Sequence, residues 1–214
     1  MGMQIAEGIT LIEGVGANSN CYLFECAGGV NVLVDTGTED NFLRIKEHVK
    51  RIDVIVNTHC HYDHVGGNLL VKKEFEAKLL AHEADAPYIS SGDVEHTCSS
   101  MFGKVLSGVK VDIVLKEGDV VLGTTGLEVV YTPGHSRGGI CLYERNRRIL
   151  FSGDTLFAHG GVGRTDLAGG DFGALLASIK KISLLDVEMI LPGHGDCVLS
   201  HGSEYIRDVL NSIG

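Results

Sequence analysis

The sequence predicts an α+β fold, a four-layer αββα sandwich in which two β-sheets pack face to face beneath outer layers of helix. Short runs rich in Val, Ile and Leu, separated by glycines and polar residues, are typical of β-strands. These runs form two series, and each series contains segments whose apolar residues have helical spacing. Since each sheet must cover both of its faces, we expect a single domain over residues 1–214.

The first series of elements surrounds a cluster of polar residues. We expect strands at 9–15, 21–26 and 30–35, then a helix at 41–50 with Phe42, Ile45 and Val49 on one side. A short buried strand at 53–57 precedes the cluster, and a helix at 64–75 and a strand at 79–82 follow it. Residues 83–110 are mixed and mostly polar, so we expect a mobile lid over the functional cleft.

The second series repeats this order. Strands are expected at 112–115, 120–122, 127–131, 139–143 and 149–152, followed by a helix at 174–185, a strand at 189–191 and a closing helix at 204–213. The basic stretch at 145–148 lies between two strands, which indicates a solvated hairpin turn.

Composition excludes several classes of function. The net charge of −10 and the absence of a Lys/Arg cluster argue against nucleic-acid binding. We expect no membrane partner, because no apolar run approaches the ~18 residues of a membrane span. Six cysteines without a C-x-x-C pair, and no basic-then-apolar leader, favour reduced thiols and a cytoplasmic location. The expected partner is a small-molecule substrate.

The strongest local pattern is the H-x-H-x-D-H segment at residues 59–64. It contains four potential metal ligands, His59, His61, Asp63 and His64, directly after a predicted strand. One metal ion cannot readily accept all four with good geometry, so two neighbouring metals are the simpler interpretation. Gly66 and Gly67 would let the backbone pass close behind the site.

Three further candidate ligands stand alone. His135, Asp154 and His194 each follow a glycine at the end of a predicted strand. A single polar residue in such a place is more often a cap or a hydrogen-bonded turn residue. The threefold recurrence of this arrangement, together with the cluster at 59–64, favours metal binding.

This set of seven residues resembles the metallo-beta-lactamase superfamily, whose fold contains two mixed β-sheets with helices on the outer faces. The resemblance implies two divalent metals, zinc first, with iron or manganese as alternatives. It implies that a water between the metals attacks the substrate, with Asp63 and Asp154 as catalytic carboxylates. His59, His61 and His135 would bind the first metal, Asp63, His64 and His194 the second, and Asp154 would bridge both.

Within this superfamily, the segments S-G-D-T-L-F at 152–157 and G-R-T-D at 163–166 are similar to the glyoxalase II group of thioester hydrolases. The resemblance therefore implies hydrolysis of a thioester. Two alternatives remain open: a lactonase, and a persulfide dioxygenase with one iron held by His59, His135 and Asp154. We expect no counterpart of the helical domain that helps hold glutathione in longer relatives, and so expect tolerance of several thiol carriers.

Four residues are candidates for supporting roles. Arg164 is the candidate for binding a substrate carboxylate, with an ion pair to Asp166 or Asp171 as the alternative. Tyr62 either lines the substrate pocket or packs in the core, and His159 either faces substrate or supports the metal site. Asp35 resembles the superfamily's aspartate that orients a ligand histidine by hydrogen bonding, the alternative being a turn or cap residue.

Overall fold

Eleven strands form two sheets in the computed structural model, which describes residues 2–26 and 28–214. The seven-stranded sheet contains β1 (Gly2–Ala6), β2 (Ile9–Ile12), β3 (Cys21–Glu25), β4 (Asn31–Val34), β5 (Val54–Val56), β6 (Lys78–His82) and β7 (Ile113–Leu115), side by side in chain order. The four-stranded sheet has the order β11 (Met189–Pro192), β10 (Ile149–Gly153), β9 (Ile140–Glu144) and β8 (Leu127–Tyr131).

Both sheets are mixed. Strands β1 to β4 pair antiparallel, whereas β4 to β7 pair parallel. In the second sheet only the β10–β11 pair is parallel. The helices are α1 (Phe42–His48), α2 (Tyr62–Val65), α3 (Asn68–Phe75), α4 (Ala86–Ser91), α5 (Phe172–Ile182) and α6 (Gly202–Ile213). The predicted fold class is confirmed.

Three apolar layers separate the four layers of structure. Alternate residues of each strand face opposite sides of its sheet, so Tyr22 and Phe24 pack between the sheets while Cys21 and Leu23 face outward. The outward residues of the larger sheet pack with α1, α3 and α4, and those of the smaller sheet pack with α5 and α6. Because both faces are covered, β9 and β10 are buried along their whole length.

Some predicted elements differ from the structure. The expected helix at 64–75 is two helices, α2 and α3, separated by Gly66 and Gly67. Residues 120–122 contribute only an isolated bridge between Val120 and Glu128, and β1 lies outside every predicted strand. The hairpin turn at 145–148 connects β9 to β10 as predicted.

The fold directs several strand ends to one edge of the sandwich. Strand β5 of the larger sheet and strands β8, β10 and β11 of the smaller sheet each lead directly into a segment with predicted metal ligands. Segments far apart in sequence therefore meet at this edge, which is where open sheets commonly place their ligand sites. No helix in the described ranges has both the length and the apolar composition needed to cross a bilayer.

Candidate metal centre

The four candidate ligands at 59–64 are positioned by the end of one strand and the start of one helix. Strand β5 ends at Val56, and the extended chain then carries His59 and His61 on the same side. Cys60 points the other way into the core and is 1% exposed. Helix α2 begins at Tyr62 and turns Asp63 and His64 toward a neighbouring point.

Three loops of the smaller sheet supply the other candidate ligands. His135 follows β8, Asp154 follows β10 and His194 follows β11. Glycines allow these loops to approach closely. A methyl group at Gly193 would lie 2.2 Å from Asp154 Oδ1, and one at Gly163 would lie 2.1 Å from the Asp154 carbonyl oxygen. Any larger residue at either position would displace the carboxylate or its loop.

One group of donor atoms comprises three histidines. His61 Nδ1 lies 3.1 Å from His59 Nε2 and 2.9 Å from His135 Nε2. Two ligands of a tetrahedral zinc ion with bonds of ~2.0–2.1 Å stand roughly 3.4 Å apart, so these nitrogens have the spacing of ligands that share one cation. This is the set predicted for the first metal.

A second group comprises two histidines and a carboxylate. His194 Nε2 lies 3.3 Å from His64 Nε2 and 3.1 Å from Asp63 Oδ2. This is the set predicted for the second metal, and it also has the spacing of a cation site.

Asp154 lies between the two groups. Its Oδ1 is 3.2 Å from His64 Nε2, and its Oδ2 is 3.5 Å from His135 Nε2 and 3.6 Å from His194 Nε2. Oδ1 is buried and accepts no hydrogen bond from the described residues. A buried carboxylate oxygen without a donor is costly unless a cation satisfies it. The donor set therefore fits divalent metals, and the arrangement matches the predicted bridge.

Electrostatics of the cluster also suit metal binding. Burial, together with nearby His135, lowers the pKa of His61 to about 3. Burial likewise holds the pKa of His59 well below its ordinary value, so both rings keep a free lone pair at neutral pH. Burial also disfavours a charged His64, but Asp154 and Asp35 outweigh it and raise the pKa of His64 well above its ordinary value. The carboxylates therefore stabilise positive charge at this site.

Asp35 supports the second group from behind. Its Oδ2 accepts hydrogen bonds from His64 Nδ1 at 2.8 Å and from the Thr58 hydroxyl at 2.7 Å, and its Oδ1 accepts one from the Thr58 amide at 2.8 Å. The first of these bonds leaves His64 Nε2 directed at the site. This is the geometry that the resemblance implied for Asp35.

Asp85 has a comparable position that the sequence analysis missed. It is 1% exposed and accepts hydrogen bonds from the Cys60 amide (3.0 Å), the Ser136 hydroxyl (2.9 Å) and the Gly138 amide (2.7 Å). It therefore joins the loop of His59 and His61 to the loop of His135. No local motif marks Asp85, since its partners lie 25 to 53 residues away.

Two residues expected near substrate lie elsewhere. Tyr62 is 2% exposed and packs on Phe102 with ring centroids 5.3 Å apart, because the first turn of α2 directs it into the core. His159 has a side chain that is 82% exposed and pairs with Asp196 at 2.9 Å. Neither lines the metal cleft, so Tyr62 takes its core alternative and the substrate-facing role of His159 is corrected.

Arg164 does line the cleft, but its guanidinium already has a partner. Nε and Nη2 bind the two carboxylate oxygens of Asp166, both at 2.7 Å. The backbone of Arg164 has a separate function, because its carbonyl oxygen accepts a hydrogen bond from His135 Nδ1 at 2.8 Å. That bond directs His135 Nε2 toward the other donors.

A cleft of about 420 Å³ opens beside the ligand atoms. Part of its wall comes from the segment predicted to be a lid, which contributes Cys98, Met101 and Phe102. Other parts of that segment pack in the core, among them Ile89 and Leu106, so the predicted place of the lid is confirmed only in part and its mobility stays a prediction. The remaining wall residues that are not candidate ligands are Phe157, Val162, Arg164 and Leu167.

Comparison with known proteins agrees with this geometry. Residues 14–194 match the family model described as the metallo-beta-lactamase superfamily. The chain belongs to that superfamily. The predicted resemblance is confirmed, and a His and Asp cluster that could hold divalent metals lies within the matched residues.

Several known proteins are similar to this chain over most of their length. A probable metallo-hydrolase of Methanocaldococcus jannaschii is 37% identical over 88% of this chain and 93% of its own. Hydroxyacylglutathione hydrolase GloC of Haemophilus influenzae is 30% identical over 95% of this chain and 98% of its own. The crystal structure of TTHA1623 in a di-iron-bound form has a TM-score of 0.77 and 31% identity, covering 91% of this chain and 96% of that one.

Proposed function

We propose that this chain is a dinuclear metal-dependent hydrolase that cleaves small-molecule thioesters. The observation that supports it most directly is the position of Asp154, which has one oxygen 3.2 Å from His64 Nε2 and the other 3.5 Å from His135 Nε2. A carboxylate can offer one oxygen to each of two ions, which a histidine cannot. Zinc is the proposed metal, with iron or manganese as alternatives for such nitrogen- and oxygen-rich sites.

Each ligand residue has a defined task in this proposal. The first metal would be held by His59, His61 and His135, and the second by Asp63, His64 and His194. When bound, the two cations would supply Lewis acidity, which lowers the pKa of water and stabilises negative charge on a carbonyl oxygen. Asp35 and the Arg164 carbonyl keep His64 and His135 in the required orientations.

The cleft favours a substrate with a good leaving group. Apart from the candidate ligands, the described residues that line it are apolar except for the Cys98 thiol and Arg164. Burial raises the pKa of Cys98, so that thiol is a poor proton donor. A thiolate, with a conjugate acid pKa near ~8.5, departs with little help, whereas an amine needs protonation. The similarity to the hydroxyacylglutathione hydrolase of Haemophilus influenzae supports the same choice.

Metal analysis and a substrate screen on one preparation test the proposal. We expect two metal ions per chain and release of free thiol from a hydroxyacyl glutathione thioester, lost on chelation and restored by zinc, iron or manganese. Asp154→Asn should weaken metal binding and reduce activity. Asp196→Asn is its matched control, because the Asp196 side chain is 79% exposed. One iron per chain with oxygen consumption would instead identify a dioxygenase, and faster opening of lactones would identify a lactonase.

A further inference from the structure

The wall of the metal cleft is apolar on two sides. Phe157, Val162 and Leu167 come from the loop after Asp154, and Met101 and Phe102 come from the turn at Ser99–Phe102. The Phe157 ring stands edge-on to His194, with ring centroids 6.1 Å apart, so the apolar surface reaches the ligands themselves. A substrate group here would exchange water for hydrocarbon contacts.

The guanidinium of Arg164 forms an ion pair within the chain. Asp166 binds it through two hydrogen bonds of 2.7 Å, and the hydrogen bonding of Arg164 lowers the pKa of Asp166 to about 2. Asp166 is therefore ionised at neutral pH and remains beside Arg164, because only one residue separates them. A substrate carboxylate that is to bind the Nε–Nη2 edge of Arg164 must displace this tethered competitor.

We propose that this cleft selects thioesters whose acyl group is an uncharged hydrocarbon chain, and that Asp166 determines this preference by occupying Arg164. The inference rests on the proposed function. The acyl chain is assigned to the apolar wall because it carries no charge. The departing sulfur of the thiol half takes up negative charge, which hydrocarbon surroundings would disfavour. A volume of about 420 Å³ lies within the range of roughly 300–1,000 Å³ that is typical of small-molecule sites.

The first test varies only the acyl group on one uncharged thiol, N-acetylcysteamine. We expect kcat/KM to rise with each added methylene, by up to about fourfold per step, until the cleft is filled. Pentanoyl and glutaryl thioesters have equal numbers of carbons and differ in the terminal carboxylate. The glutaryl thioester should be at least about tenfold poorer, because its charge would lie against the apolar wall.

The second test releases Arg164. Asp166→Asn should raise the ratio of glutaryl to pentanoyl kcat/KM by up to about fivefold, the value of an exposed ion pair. Adding Arg164→Gln to that variant should return the ratio to the starting value. The control is Asp186→Asn, which loses a comparable exposed pair with Arg148 (3.2 Å) but lies outside the cleft.

Binding of non-hydrolysable analogues, in which methylene replaces the thioester sulfur, provides a readout without turnover. Calorimetry should show the same preference for the pentanoyl analogue and the same change in Asp166→Asn. Preference for the carboxylated analogue in the unmodified protein, or a ratio that Asp166→Asn leaves unchanged, would overturn the inference. Failure of the metal-loaded protein to hydrolyse any thioester would overturn the proposed function. The ratio of the affinities for the two analogues would still test whether the cleft prefers an uncharged acyl group.

Discussion

Asp35 and His64 form a fully buried hydrogen-bonded pair, with Oδ2 and Nδ1 2.8 Å apart. Asp35 has a left-handed backbone, with φ of 57°, which directs its carboxylate beneath the site rather than along β4. The same carboxylate binds Thr58, so one side chain joins the end of β4 to the start of the ligand loop.

We expect Asp35→Asn to weaken the second metal site selectively. Asparagine tolerates a left-handed backbone but carries no charge, so the change removes the anionic partner of His64 with little backbone strain. Loss of such a partner typically costs 10–100-fold in metal affinity. Metal content per chain and competition with a chelator measure this, with the exposed Asp40→Asn as control. Equal affinity in both variants would contradict the positioning role.

Asp154→Asn should weaken both metals together and reduce activity with them. The amide keeps one oxygen and replaces the other with a nitrogen that cannot accept a cation. Metal stoichiometry and turnover, measured on the same sample, should therefore fall in parallel, while Asp196→Asn keeps both. Two tightly bound ions and near-normal turnover in Asp154→Asn would show that the carboxylate is not shared.

Asp85→Ala should destabilise the fold and loosen the first metal site. It leaves the Cys60 amide, the Ser136 hydroxyl and the Gly138 amide without their buried acceptor, and each such group costs about 1–3 kcal/mol. Ser136→Ala removes only one of these donors and should cost about 0.5–1.5 kcal/mol. Urea denaturation with metal titration separates the two variants. A similar small loss in both would mean that Asp85 does not join the loops.

Gly193→Ala should displace Asp154 without changing any ligand. The added methyl would lie 2.2 Å from Asp154 Oδ1 and 2.7 Å from His64 Cε1, so the carboxylate must move. We expect loss of metal from both sites. Gly173→Ala is the control, because its methyl would press only on Asp171 Oδ1, 3.2 Å away and outside the metal centre, and alanine favours a helix by roughly 0.5–1 kcal/mol. Full metal content in Gly193→Ala would show that the loops are free to separate.

The break between α2 and α3 shows where local reasoning was incomplete. Apolar spacing predicts one helix, but Gly66 and Gly67 lie against the loop at 36–38, where a methyl on Gly67 would stand 2.8 Å from the Thr36 carbonyl oxygen. The Gly67 amide donates to the Gly37 carbonyl at 3.0 Å instead of continuing a helix. The glycines allow the close backbone passage that the sequence predicts, while their effect on the helix depends on a segment some 30 residues earlier.

The sequence by itself determined the fold class and all seven candidate ligands, because strand periodicity, the H-x-H-x-D-H spacing and the glycine before each of the three single candidates are local properties of the chain. Only the tertiary structure decided that Asp85 joins two ligand loops, that Tyr62 is core and that Asp166 occupies Arg164. The physical reason is that these roles depend on which side chain lies opposite another across packed elements. That is set by sheet order, loop approach and burial, none of which spacing along the chain specifies.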